Sequence, residues 1–93
     1  MTAQQPDKAR PQLPLGTAAR GYRGVIQSIV AADAGSALSA HELESRLIEF
    51  GFVEGARVEV LHEGVLGGDP IAVRVENVTI AVRRREAMAV MVA

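Results

Sequence analysis

The residues of this 93-residue chain best able to do chemistry fall in a few places. Arg83-Arg84-Arg85 is a run of guanidinium groups that could hold an anion, or reach a nucleotide phosphate in a partner as an arginine finger does. If the run continues a strand, alternate residues point to opposite faces and no single cluster forms, so solvated edge positions and salt-bridge partners are the expected roles. His62 beside Glu63 and His41 beside Glu42 set imidazole next to carboxylate, a donor pair suited to iron. Neighbours on a strand diverge, however, and two isolated histidines fall short of a metal site, which leaves them as ordinary surface positions. Asp69 is the candidate general base, yet Asp69-Pro70 after Gly67-Gly68 is first a turn signal, with no nucleophile near it in sequence. No nucleophile, acid and base come together, so neither enzymatic activity nor a bound cofactor or metal is expected.

Binding is better served than catalysis. Val65-Leu66 is an apolar pair in a glycine-rich loop between Gly64 and Gly67, able either to meet a partner or to fold back over the mouth of the domain. Arg46 and Phe50 offer a second surface on a helix, with core packing and a structural salt bridge as their alternative roles.

The elements that must position these residues can be read from pattern. Residues 1–13 form a polar, proline-containing tail without apolar periodicity, and 14–93 the domain, which the step Leu13-Pro14-Leu15-Gly16 opens. Tyr22–Val30 is the first strand, followed by a small-residue loop over Ala31–Ala37. A helix over Ala40–Phe50 is marked at both ends. Ser39 and Glu42 stand at capping-box spacing, and Leu38 and Leu43 match a hydrophobic staple. Gly51 can take the left-handed conformation that folds Phe52 back on Leu47. Leu43, Leu47 and Phe50 then share one face. Val53-Glu54-Gly55-Ala56 reads as a tight turn. Alternation predicts strands around Val58 and Val60, over Ile71–Val75 and over Val78–Val82, the last two joined by a Glu76-Asn77 turn in which Asn77 takes the left-handed backbone. Val90 and Val92 make a final strand, with Met88 and Met91 filling the core.

Composition bounds what remains. A chain of this length holds one domain, and with no cysteine its core must be stabilised by packing alone. Hydrophobic residues are 48% but aromatics only 3%, so that core is built from Val, Ile, Leu and Ala, which favours β structure. The formal net charge of -1 provides no general attraction to nucleic acid. The apolar run Ala87–Ala93 is far too short to span a bilayer, and the polar start lacks the apolar core of a secretory signal, so no membrane insertion and a cytoplasmic location are expected. Short strands with one helix suggest a mostly β fold, a small and partly open barrel of about five strands. Exposed strand edges would leave room for a homo-oligomer.

Several of these pieces stand together in an order that resembles the FeoA family. The run Arg46-Leu47-Ile48-Glu49-Phe50-Gly51-Phe52-Val53-Glu54-Gly55, then Gly67-Gly68-Asp69-Pro70-Ile71, then Val82-Arg83-Arg84 with Glu86-Ala87, matches in order and spacing across roughly 21–92. Departures are the long polar tail and Asn77, where a glycine turn is usual. The resemblance implies an SH3-like barrel in the cytoplasm that docks on FeoB, the membrane ferrous-iron transporter with a GTPase domain. The same barrel is appended to iron-dependent repressors, so a metal-responsive regulatory or nucleic-acid-associated module is the alternative. No helix-turn-helix precedes the barrel in this sequence, which favours the transporter accessory. Protein-binding positions expected on this reading are Arg46, Phe50, Val65, Leu66, Asp69 and Arg83. No catalytic or metal-binding residue is carried over.

Overall fold

The computed structural model describes residues 11–31 and 39–93. The rest of the expected tail, the expected small-residue loop from 32 onward, and Leu38 with its staple lie outside the described residues.

Strands β1 (Leu13–Pro14), β2 (Arg23–Ile29), β3 (Arg57–Leu66), β4 (Asp69–Val75), β5 (Val78–Val82) and β6 (Val90–Val92) form one antiparallel sheet. Its order is β1-β6-β2-β3-β4-β5, and the two end strands do not pair with each other. The fold is thus the mostly β, open, SH3-like arrangement, with six strands rather than about five because the Leu13-Pro14 step pairs with β6. A 3-10 turn follows at Leu15–Thr17. One curled sheet encloses Leu15, Ile26, Leu47, Phe52, Val60, Ile71, Val73, Val90 and Val92, all fully buried. Alternation delivers this core: on β3 and β4 the buried residues are Val58 and Val60, and Ile71, Val73 and Val75.

Helix α1 (Ala40–Glu49) starts and stops where its end signals place it. The Ser39 side chain accepts from the Glu42 amide at 3.2 Å, and the Glu42 carboxylate accepts from the Ser39 amide at 3.0 Å. At the far end Phe52 N–H donates to the Leu47 carbonyl and Gly51 N–H to that of Ile48, around a left-handed Gly51 at φ +101°. Leu43 and Leu47 are buried from one face, and Phe52, turned back by this ending, becomes the largest fully buried side chain. The Val53-Ala56 turn closes with a 3.0 Å hydrogen bond from the Ala56 amide to the Val53 carbonyl.

Four expectations are corrected. β3 runs on to Leu66, so Val65 and Leu66 belong to a strand end and not to a loop. The arginine run does not continue β5. Arg83 caps a short helix α2 (Arg84–Ala87), because the period-2 pattern stops at Val82. The left-handed residue of the β4–β5 turn is Glu76, at φ +53°, and not Asn77. Its carboxylate accepts from the Arg57 amide at 2.8 Å, and its own amide donates to the Arg57 carbonyl at 2.9 Å. These bonds to β3 offset the left-handed cost that local propensity would have assigned to asparagine. Met88 is exposed, its sulfur against Gly16, and Met91 is half-buried, so Met88 does not fill the core.

Candidate functional site

The β3–β4 hairpin projects from the sheet and turns through Gly67 and Gly68, both left-handed at φ +70° and +80°. Consecutive positive φ values are what a two-residue turn matched to strand twist needs, and glycine takes them without strain. Below the turn the register shifts between Glu63 and Leu66, and a side chain on Gly64 would collide with the Asp69 carbonyl. The glycines therefore permit a tightly closed hairpin. Val65 and Leu66 stand at its tip, 98% and 82% exposed. They do not fold back over the barrel mouth.

Arg84 braces this hairpin from beneath. Its amide donates to Asp69 Oδ1 at 2.9 Å, so a β4 carboxylate supplies the side-chain cap that Arg83 does not give α2. Its guanidinium donates through Nε to the Gly68 carbonyl at 2.8 Å, through Nη1 to those of Gly16 and Ala18 at 3.1 and 2.7 Å, and through Nη2 to Glu63 at 2.8 Å. A planar, permanently charged fork suits partners arrayed around it. One side chain thereby joins the turn after β1, the hairpin and α2. Gly16 allows the approach, since a Cβ there would collide with the Arg84 carbonyl. Glu63 is fixed further by the Arg20 amide at 3.3 Å.

The second expected surface lies on α1. The Arg46 guanidinium sits 5.5 Å from the centre of the half-buried Phe50 ring and 4.0 Å from Glu86 of α2. Arg46 and Phe50 thus meet each other, and α2 links them to the hairpin through Glu86 on one side and Arg84 on the other. Of the expected positions, Val65 and Leu66 are displayed, Asp69 is taken up in positioning α2, and Arg83 is exposed with no ion pair among the described residues. His41 and His62 are exposed, and no group of His, Asp or Glu among the described residues could hold a metal ion.

Sequence reasoning missed Arg84 as the organising residue. The three arginines look alike in the chain, and only Arg84 turns inward, its side chain 21% exposed. The loss of alternation after Val82 marks a helix start, but it does not tell which of the three arginines turns inward.

On the outer face, Arg23, Arg57 and Arg74 line a shallow trough with Glu59 and Glu76. Burial tends to raise the Glu59 carboxyl, but hydrogen bonds from Arg23 and Arg74 together hold it below its ordinary value. The Arg57 amide and guanidinium lower Glu76 in the same way. These arginines are engaged by carboxylates of their own sheet, which leaves the trough little net positive charge.

An open SH3-like sheet with one capped helix and a projecting, braced hairpin defines the class of this domain. The FeoA domain model matches residues 13–93, and the chain belongs to the FeoA family. An iron uptake regulatory protein (FeoA) of known structure is 25% identical, with a TM-score of 0.71, over 90% of this chain and 97% of that one. Zinc-complexed FeoA from Stenotrophomonas maltophilia is 32% identical, with a TM-score of 0.68, over 85% and 87% of the two chains. That protein is described as a prokaryotic SH3 domain protein and a candidate ferrous iron transport activating factor. A manganese-dependent transcriptional repressor shares the fold at 21% identity and a TM-score of 0.68, over 88% of this chain and 41% of its own. Among curated proteins no sequence matches significantly.

Proposed function

We propose that this protein is a cytosolic accessory of the FeoB ferrous-iron transporter, docking on it and supporting or regulating Fe(II) uptake. The observation that carries the reading is the display of Val65 and Leu66 on a hairpin that Arg84 anchors at Glu63, Gly68 and Asp69. Exposed aliphatic residues on a preorganised support lose little entropy on binding, and burying each one fully is worth about 1.5–3 kcal/mol. Arg83, at the N-cap of the neighbouring short helix, is exposed with no ion pair among the described residues, and Arg46 with Phe50 supplies a second contact through α1. Family membership and the description of the Stenotrophomonas relative support the transport setting.

The test is saturable binding of the full chain to detergent-solubilised FeoB from the same cell, with and without a GTP analogue. Leu66→Asp is expected to weaken binding by about 100-fold or more, since it removes a buried anchor and introduces a charge. Its circular dichroism and melting temperature should match wild type, because the side chain touches little of its own fold. Full binding by this variant overturns the docking site. Absence of wild-type binding in every nucleotide state overturns the accessory role itself.

A further inference from the structure

An open sheet has two edges, and in this protein they are treated differently. β1 is a two-residue strand that ends on Pro14, short and poor in donors, as edge strands usually are. β5 is Val78-Thr79-Ile80-Ala81-Val82, without charge, proline or bulge. Among the described residues nothing pairs with its outer side. Such an edge is ordinarily guarded, because its free amides and carbonyls invite another strand.

The direction of those groups follows from the register. Glu76 N–H donates to the Arg57 carbonyl of β3, so along β4 the amides of residues at even spacing from Glu76 face β3. Val75, Val73 and Ile71 therefore face β5, and they stand opposite Val78, Ile80 and Val82. Those three spend their backbone groups on β4. Thr79 and Ala81 point theirs outward.

We propose that the β5 edge is a self-recognition surface, on which two copies of the chain join β5 to β5 about a two-fold axis through Ile80. Thr79 of each copy then pairs with Ala81 of the other, and every outward amide and carbonyl on both edges is satisfied. Ile80 faces Ile80 as a non-hydrogen-bonded pair, the closer kind, which buries the part of that side chain the monomer leaves exposed. Val78, 58% exposed, comes to lie opposite Val82 of the second copy. A second copy suits the edge better than an arbitrary segment because the apolar spacing, Val78 and Val82 each two residues from Ile80, is symmetric about Ile80. No like charges meet, since Arg83 lies across from Asn77 of the second copy.

The chain has no cysteine, so one introduced residue reports the register alone. In Ile80→Cys the paired Cα atoms would lie about 4.5 Å apart, within the disulfide range, whereas Val78→Cys separates them by about 14 Å. Rapid oxidation to a covalent dimer is expected for Ile80→Cys and not for Val78→Cys. By light scattering the wild-type mass should double with concentration. Thr79→Pro, which removes an outward amide that β4 does not use, should raise the dissociation constant at least tenfold while the folded spectrum persists. The proposal is overturned by a wild type that stays monomeric up to its solubility limit. It is equally overturned by a dimer as tight in Thr79→Pro, or by cross-linking as fast in Val78→Cys as in Ile80→Cys.

Discussion

Arg84 concentrates several obligations in one side chain. The carbonyls of Gly16, Ala18 and Gly68 receive its guanidinium protons in a half-buried setting, and Glu63 balances its charge. Arg84→Lys keeps the charge but not the fork, and an ammonium group cannot reach partners set around a plane. The variant should lose about 2–3 kcal/mol of stability in urea denaturation, the scale for removing hydrogen bonds to a charged group from acceptors that stay buried. An equally stable Arg84→Lys would show that water already serves those carbonyls. This residue also marks where reading the chain stops. Nothing local distinguishes Arg84 from Arg83 and Arg85, because the carbonyls that single it out arrive from residues 66 and 68 positions earlier in the sequence. Val65-Leu66 was legible in part. Apolar residues flanked by glycines mark a candidate tip but leave open whether it meets a partner or folds back, and the strand that carries them reaches farther than the alternation around Val58 and Val60 suggests.

At the scale of elements, α1 was legible to within a residue because its start and stop are encoded locally, by Ser39 with Glu42 and by Gly51 with Phe52. The β4–β5 turn was legible in place but not in detail, since Glu76 takes the left-handed position under the hold of Arg57 on β3. Both elements carry a pH dependence of known sign. The Ser39 amide and hydroxyl hold the Glu42 carboxyl below its ordinary value of 4.5, and Arg57 does the same for Glu76. A carboxylate with a lowered folded value binds its proton more weakly than in the unfolded chain. Its stabilising effect is therefore complete above the unfolded value and disappears as pH falls through the folded one. Melting temperature should be flat near neutrality and decline below about pH 4.5. Glu42→Gln keeps an acceptor for the Ser39 amide but cannot titrate, so its melting temperature should decline less over the same acid range. A decline as steep as wild type would mean that Glu42 contributes nothing to the acid response.

For the whole molecule, the core follows from composition and alternation, which is why a Val-rich chain without cysteine could be read as a small open barrel. The strand order was not readable, because β6 enters between β1 and β2 through contacts that no local pattern encodes. That order also separates the two surfaces proposed for this protein. β5 ends at Val82, opposite Ile71, while the β3–β4 hairpin runs on to its turn at Gly67-Gly68, so the tip stands about 10 Å beyond the end of the free edge. Docking at Val65 and Leu66 uses side chains past that end, and self-pairing uses the backbone of Thr79 and Ala81 beside it. Leu66→Asp should therefore lose the transporter and keep its self-association, and Thr79→Pro should do the reverse. Both properties measured on both variants decide the matter. If either substitution removes both, the tip and the edge form one continuous interface, and self-association becomes a condition for docking instead of a separate property.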